Sequence, residues 1–522
     1  MLKENYNSNF FDNKTKTWLC DEFTESSLYD IKNDLINLLS FNQEADLSFC
    51  KKYFYEICFI IHKFSQKPWT TQKHIFENLS IDKETLLKIN FIIRNNEKIQ
   101  KIILDKGVGR KYWKTIIPFA KSADNVIEKK LQFPKRIALF PGISCMFYCG
   151  FCGRNQSEKY PLNILGSGLQ MYKKLFLDKS SDTAFSISGG LEPLTNPKLG
   201  EIIDSASINN IRIPLITNGY SLTDNFLNKN PGIWKLDSLR VSLYGVDEDS
   251  YFFITRLKKS YQMVKKNITN FIIKRNKTNP NLKVGFNFII IPENIGYFEK
   301  ILDLISEINF EVKNGRGIDF VSLRDDYQSV TGNDEKDDVN RKYRLNSTMQ
   351  DDERLILMHK IQAFIKKKEQ VLENLHIDFG YSLENLANGF IGEPLIKVSG
   401  EKMRKFGFPQ LSVAVDLYGD VFLFREAGFL NRVGNKKFII GRISQEKSIE
   451  QVINNFFKKN KPLVFEKNDS RFMDSFDHVL TVLVNQAQDD KEFGIPFEKG
   501  PIKIRTENRK INLGNNWYSD NI

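Results

Sequence analysis

Three cysteines, Cys145, Cys149 and Cys152, fall within eight residues, separated first by three residues and then by two. Thiolates are the soft ligands that iron–sulfur clusters take. Three of them can hold three irons of a [4Fe–4S] cube and leave the fourth iron open. A structural zinc ion needs a fourth nitrogen or sulfur donor. None is near in sequence: the other cysteines are Cys20, Cys50 and Cys58, and the nearest histidines are His74 and His359. Six cysteines with three in one loop do not form a disulfide framework.

Further along lies Ser188-Gly189-Gly190-Leu191-Glu192-Pro193. Paired glycines at a strand end let a ligand approach bare backbone, and a carboxylate two residues later can accept hydrogen bonds from an ammonium group. A plain strand-to-helix turn is the competing reading. Thr217 and Asn218 end another expected strand, and Arg240 and Ser242 lie in the next, where they could meet a carboxylate or ribose hydroxyls; Asn218-Gly219 is also an ordinary turn pair. Gly285 and Asn287 have the same standing. Arg324, Asp325, Asp326 and Tyr327 follow a sixth strand, and Arg425-Glu426 follow a hairpin. Arg324 and Arg425 could grip a diphosphate, and Glu426, Asp326 or Tyr327 could orient a sugar or move a proton. An internal salt bridge of Arg425 with a neighbouring acid explains the second pair equally well.

Short β-branched and aromatic runs must position these groups. Strands are expected at Arg136–Phe140, Ala184–Ser188, Ile211–Thr217, Leu239–Tyr244, Lys283–Ile291 and Ile318–Leu323, with amphipathic segments such as Lys198–Ile208 and Tyr297–Ile308 between them. This alternation predicts a parallel α/β sheet, closed or partly closed, with chemistry at the carboxyl ends of its strands. The cysteine loop follows the first strand at that end. Residues 1–132 read as a helical region, with helices at Ser27–Leu39 and Leu47–Phe64 and a pair of short ones between Trp69 and Asn95, the second capped by Asp82. Cys50 and Cys58 then serve packing. Residues 133–330 form the α/β core, and 331–522 an α+β extension ending in a polar tail. In that extension a helix spans Asp351–Leu372, strands lie near His376–Ser382 and Phe438–Ile443, a hairpin covers Leu411–Glu426, and a helix covers Ser448–Phe457.

The chain has 522 residues, 41% hydrophobic and 12% aromatic, enough for a sizeable core. Its net charge of +12 is scattered, so it favours a local phosphate site over a nucleic-acid or membrane surface. Met1 to Lys14 is polar, without the apolar core of a cleavable signal, and the longest early apolar run is too short to span a bilayer. A cytoplasmic protein with reduced thiols is the expectation.

The cysteine spacing, the aromatic Phe151 before the last cysteine and the glycine pair after the second strand together resemble the radical S-adenosylmethionine (SAM) superfamily. The wider pattern resembles the radical SAM ammonia-lyases that act on dTDP-4-amino-4,6-dideoxy-D-glucose in desosamine-type deoxysugar biosynthesis. Tyr112-Trp113-Lys114, Pro141-Gly142 to Cys152, Ser188 to Pro197, Ser242 to Gly245, Ile318 to Val321, Asp416 to Gly428, Phe472-Met473-Asp474 and Asn485-Gln486 carry that likeness. Leu191, inserted relative to the superfamily's Gly-Gly-Glu-Pro, belongs to this narrower pattern. The resemblance implies a (β/α)6-type partial barrel with a [4Fe–4S] cluster on Cys145, Cys149 and Cys152. It implies SAM as co-substrate, held by Phe151, Gly189, Gly190, Glu192, Thr217, Asn218 and Ser242. It further implies a nucleotide-linked amino sugar as substrate, deaminated through a carbon radical to a 3-keto-4,6-dideoxy sugar, and a flavodoxin- or ferredoxin-type electron donor. Oxidation of another nucleotide-sugar alcohol is the nearest alternative, and nothing in the sequence separates the two. Peptide-modifying relatives commonly carry further cysteines, and none follows Cys152. A zinc- and DNA-binding regulator built on the N-terminal helices is the rival from another class.

Overall fold

A computed structural model describes residues 48–50, 52–106, 110–149, 152, 157–180, 182–290, 292–324, 351–389, 407–429, 433–459, 463–464, 466 and 469–503. The helix expected at Ser27–Leu39 lies outside them. The chain divides into two units, one of residues 1–124 with 482–506 and one of 125–481 with 507–522.

The first unit is helical. Helices α1 (Phe54–Gln66), α2 (Gln72–Asn78), α3 (Lys83–Asn95), α4 (Glu97–Lys101) and α5 (Arg110–Ile127) follow one another. Thr71 caps α2 and Asp82 caps α3, each accepting a backbone N–H at the third residue of the cap. Cys50 and Cys58 are buried among apolar side chains, and burial pushes the Cys58 thiol far above its ordinary range. His74 is exposed.

Ten strands of the second unit form one sheet in the order β10-β9-β8-β1-β2-β3-β4-β5-β6-β7. Six run parallel in sequence order: β1 (Arg136–Phe140), β2 (Ala184–Ile187), β3 (Pro214–Thr217), β4 (Ser238–Leu243), β5 (Lys283–Ile289) and β6 (Phe320–Arg324). Crossover helices α6 (Leu162–Leu177), α7 (Leu199–Ile208), α8 (Asp224–Lys229), α9 (Glu248–Thr255), α10 (Ser260–Thr278) and α11 (Phe298–Val312) return the chain between them. The two outer strands β1 and β6 are not neighbours, so the arrangement is a partial barrel.

The strands from beyond residue 330 do not form a separate body. β7 (His376–Phe379) pairs in parallel with β6, and β8 (Ser412–Asp416) in parallel with β1. β9 (Asp420–Phe422) and β10 (Ile439–Arg442) then continue antiparallel. Ser412 to Ala414 and Val415 are all buried. A strand buried on both faces belongs inside a sheet rather than in a free hairpin, and here it covers the edge that β1 would otherwise expose. Helices α12 (Asp351–Val371), α13 (Tyr381–Ala387), α14 (Ile449–Lys459) and α15 (Ser475–Phe493) complete the described residues. No described helix is long and apolar enough to cross a membrane.

One face of β4, β5 and β6 carries polar side chains within the buried sheet. Ser242, Asn287 and Ser322 stand side by side in register across β4, β5 and β6. One step earlier Arg240, Gly285 and Phe320 form the adjacent row; the Arg240 guanidinium lies 5.3 Å from the Phe320 ring. A Cβ on Gly285 would come within 2.4 Å of that ring, so the glycine makes the room in which ring and guanidinium stack.

Candidate active site

The cysteine loop leaves β1 and is held by its own backbone. Leu191 N–H donates to Gly142 O at 3.0 Å, Glu192 N–H to Ser144 O at 2.9 Å and Glu158 N–H to Ile143 O at 2.8 Å. Ile143 N–H also donates to the Tyr160 hydroxyl, which is 2.7 Å from Thr195 Oγ1; burial pushes this phenol up to about 12. Phe147 sits edge-on to Tyr220, Tyr244 and Tyr251, with ring centroids 5.6 to 6.2 Å apart. That aromatic clamp anchors the middle of the loop while the cysteines remain half-buried.

Cys145, Cys149 and Cys152 line a single cavity. Cys145 Sγ accepts from Phe147 N–H at 3.4 Å and faces Asn218 Nδ2 at 3.6 Å, donors that favour a thiolate. Three thiolates from one loop are a donor set that a four-iron cube takes, each on its own iron, whereas a structural zinc ion needs a fourth donor.

The turn after β2 forms the next wall. Gly189 and Gly190 have φ of 108° and 67°, and a Cβ on Gly189 would stand 2.7 Å from the Phe140 ring. Only glycine suits both constraints. Glu192 is turned into the protein: Oε1 accepts from Leu194 N–H at 3.0 Å and from the Thr217 hydroxyl at 2.5 Å, and Oε2 from Asn218 N–H at 2.8 Å. Burial pushes its carboxyl up to about 7 despite these three donors. Glu192 therefore ties the β2 turn to the end of β3, with both oxygens engaged by the chain itself.

Strand ends and the late segments close the cavity. Thr217, Asn218 and Ser242 line it, as do Arg324 and Arg425 from the groups expected to meet an anion. Arg425 also makes the internal contacts that were its competing explanation. Its Nη1 lies 3.5 Å from both Glu426 and Asp474, and its Nη2 donates to Ser188 O at 3.3 Å. Glu426 is buried behind Arg425 and is not among the lining residues. Phe151, Asp326 and Tyr327 lie outside the described residues. Two charged lining residues were not singled out as site groups: Arg136 at the start of β1, and Asp474 just before α15. The triplet Phe472-Met473-Asp474 was the available signal for the second.

The Radical SAM superfamily profile matches residues 139–305, which run from β1 through the glycine turn into α11. The dTDP-4-amino-4,6-dideoxy-D-glucose ammonia-lyase of Streptomyces venezuelae is 31% identical over 443 residues, 84% of this chain and 88% of that one. The chain belongs to the radical SAM superfamily. Among solved structures, SuiB of Streptococcus suis is similar at 18% identity over 83% of this chain and 82% of that one, with a TM-score of 0.42. SuiB bound to SAM is similar at 17% identity over 60% and 65%, with a TM-score of 0.41. For a radical SAM enzyme, three half-buried cysteines beside a glycine turn at the carboxyl ends of parallel strands are a coherent site.

Proposed function

We propose that this chain is a radical SAM ammonia-lyase that deaminates a nucleotide-linked 4-amino-4,6-dideoxy sugar to a 3-keto-4,6-dideoxy sugar. One observation carries the reading: a single cavity brings the three cysteines and the glycine pair together with Arg324 and Arg425. The likeness to the Streptomyces enzyme over most of both chains supplies the substrate class. A [4Fe–4S] cluster on Cys145, Cys149 and Cys152, with SAM at its open iron, would supply a 5′-deoxyadenosyl radical that takes one hydrogen atom from the sugar. Gly189 and Gly190 bring backbone groups close to SAM, and Asn218 and Ser242 offer it polar side chains. Glu192 contributes by holding Thr217 and Asn218 in place. Arg324 and Arg425 are suited to the diphosphate of a nucleotide sugar, since guanidinium pairs phosphate oxygens in bidentate fashion. The walls exclude water and hold one C–H bond against the radical. A flavodoxin- or ferredoxin-type carrier returns the electrons.

The test is anaerobic turnover of the reconstituted enzyme with SAM, a reductant and dTDP-4-amino-4,6-dideoxyglucose. Equal amounts of 5′-deoxyadenosine and ammonia are expected. 5′-Deoxyadenosine with an oxidised sugar and no ammonia would replace deamination by alcohol oxidation, and neither product from a protein with full cluster would refute the substrate. Cys149→Ala should lower SAM cleavage to background.

A further inference from the structure

Two carboxylates line the cavity among the described residues, Glu192 and Asp474. Glu192 has both oxygens bound by chain donors, so it is poorly placed to handle a substrate proton. Asp474 differs. Its Oδ1 accepts from Asp477 N–H at 2.8 Å, while Asp477 Oδ2 accepts from Asp474 N–H at 3.2 Å, the reciprocal box that starts α15. The other oxygen, Oδ2, stands 3.5 Å from Arg136 Nη2 and 3.5 Å from Arg425 Nη1. One oxygen thus serves the helix, and the other stands beside two guanidinium groups that line the cavity with it.

We infer that Asp474 is the base that takes the hydroxyl proton of the substrate radical, and that Arg136, 3.5 Å from its Oδ2, stabilises the oxyanion this creates. The inference rests on the deamination reading above. Once C3 has lost a hydrogen atom, its O–H bond breaks and the proton moves to Asp474 Oδ2. The ketyl oxygen carries the negative charge beside the Arg136 guanidinium. The C4–N bond of the protonated amine then breaks, nitrogen leaves with the electron pair as ammonia, and C3 becomes a carbonyl beside a carbon-centred radical. One electron from the one-electron carrier protein, together with the proton held on Asp474, completes the keto sugar. Atoms and charge balance at each stage.

The surroundings fit this role. Burial opposes ionisation of Asp474, yet Arg136 and Arg425 outweigh it and hold the carboxyl below its usual range, so it stands ionised, as an acceptor must, though as a weaker base than a free carboxylate. Asp477 next to it is driven well above its usual range by burial and by Asp474, so only one of the pair is charged. Glu426 Oε1 stands 3.5 Å from the same Arg425 Nη1. The positive wall that weakens Asp474 as a base also stabilises the oxyanion formed when the proton leaves, so the charge lost at the carboxylate is regained on the substrate oxygen. Asp474 and Arg136 are 338 residues apart in sequence, so the pairing is visible only in the folded chain.

Asp474→Asn is the decisive variant, because asparagine caps a helix about as well as aspartate but cannot take the proton. With C3-deuterated substrate, deuterium should still reach 5′-deoxyadenosine, while ammonia release falls about 10²- to 10⁴-fold and partly recovers as pH rises. KM should change little, and Asp474→Glu should restore part of the rate. Ammonia release within about threefold of wild type would overturn the proposal, as would a parallel loss of deuterium transfer and ammonia, which marks a merely structural role. A wild-type enzyme that gives no ammonia at all sinks the deamination reading instead. Equal thermal unfolding of wild type and Asp474→Asn shows that the cap is intact.

Discussion

At the scale of single residues, the site rests on a few side chains, or missing ones, whose neighbours leave little choice. Gly189 combines φ of 108° with a Phe140 ring carbon 2.7 Å from where a Cβ would stand. Gly189→Ala is therefore expected to destabilise the fold by about 1–3 kcal/mol through backbone strain, with ring displacement adding to it. Gly166, by contrast, lies exposed inside α6 with nothing within 4 Å of its Cβ position. Gly166→Ala should stabilise by roughly 0.5–1 kcal/mol, and thermal unfolding of both variants checks the contrast. Glu192 shows a residue whose type was readable and whose orientation was not. Its place after the glycine pair suggested an ammonium ligand; in the fold its oxygens accept from Leu194 N–H in its own turn, from the Thr217 hydroxyl in β3 and from Asn218 N–H just beyond.

Elements set where those residues stand. The strand segments at Arg136–Phe140 and Lys283–Ile289 emerge where β-branched and aromatic residues cluster, and the helices between them follow apolar spacing. Turn chemistry shapes the β8–β9 hairpin: Asp416 Oδ1 accepts from Tyr418 N–H at 3.0 Å and Asp420 N–H at 2.9 Å, and Gly419 adopts φ of 84°. Burial, then repulsion from Asp420, pushes the Asp416 carboxyl from 3.8 to about 7. Because the folded chain keeps this proton after the unfolded chain has lost it, Asp416 makes stability fall as pH rises from about 4 to 7 and leaves it level above. Asp416→Asn keeps an oxygen acceptor and should remove that component, a slope of up to about 1.4 kcal/mol per pH unit. Denaturant unfolding of both proteins at several pH values in that window measures it; identical slopes would show that Asp416 titrates normally.

At the scale of the whole molecule, the sheet draws on both halves of the second unit. β7 and β8 cover β6 and β1, and Arg425 and Asp474 reach the cavity from beyond residue 400. A fragment of residues 125–330 would expose both edges of its six parallel strands and lose part of the cavity wall. It should aggregate or remain expanded on gel filtration, without a cooperative melt; a folded monomer would show that the later strands are dispensable.

The division between sequence and structure follows from range. Cys145, Cys149 and Cys152, the glycine pair and the six alternating strands are local patterns, and local spacing is enough to state what ligand or element they can form. The sequence alone therefore determined the parallel α/β core and the placing of the three cysteines and the glycine pair at its strand ends, and it pointed to a cluster-type donor set. The joining of β8 to β1, the inward turn of Glu192 and the meeting of Arg136, Arg425 and Asp474 depend on contacts between distant segments. Edge pairing and buried ion pairs depend on which surfaces meet after the chain has folded, so no spacing in the sequence encodes them.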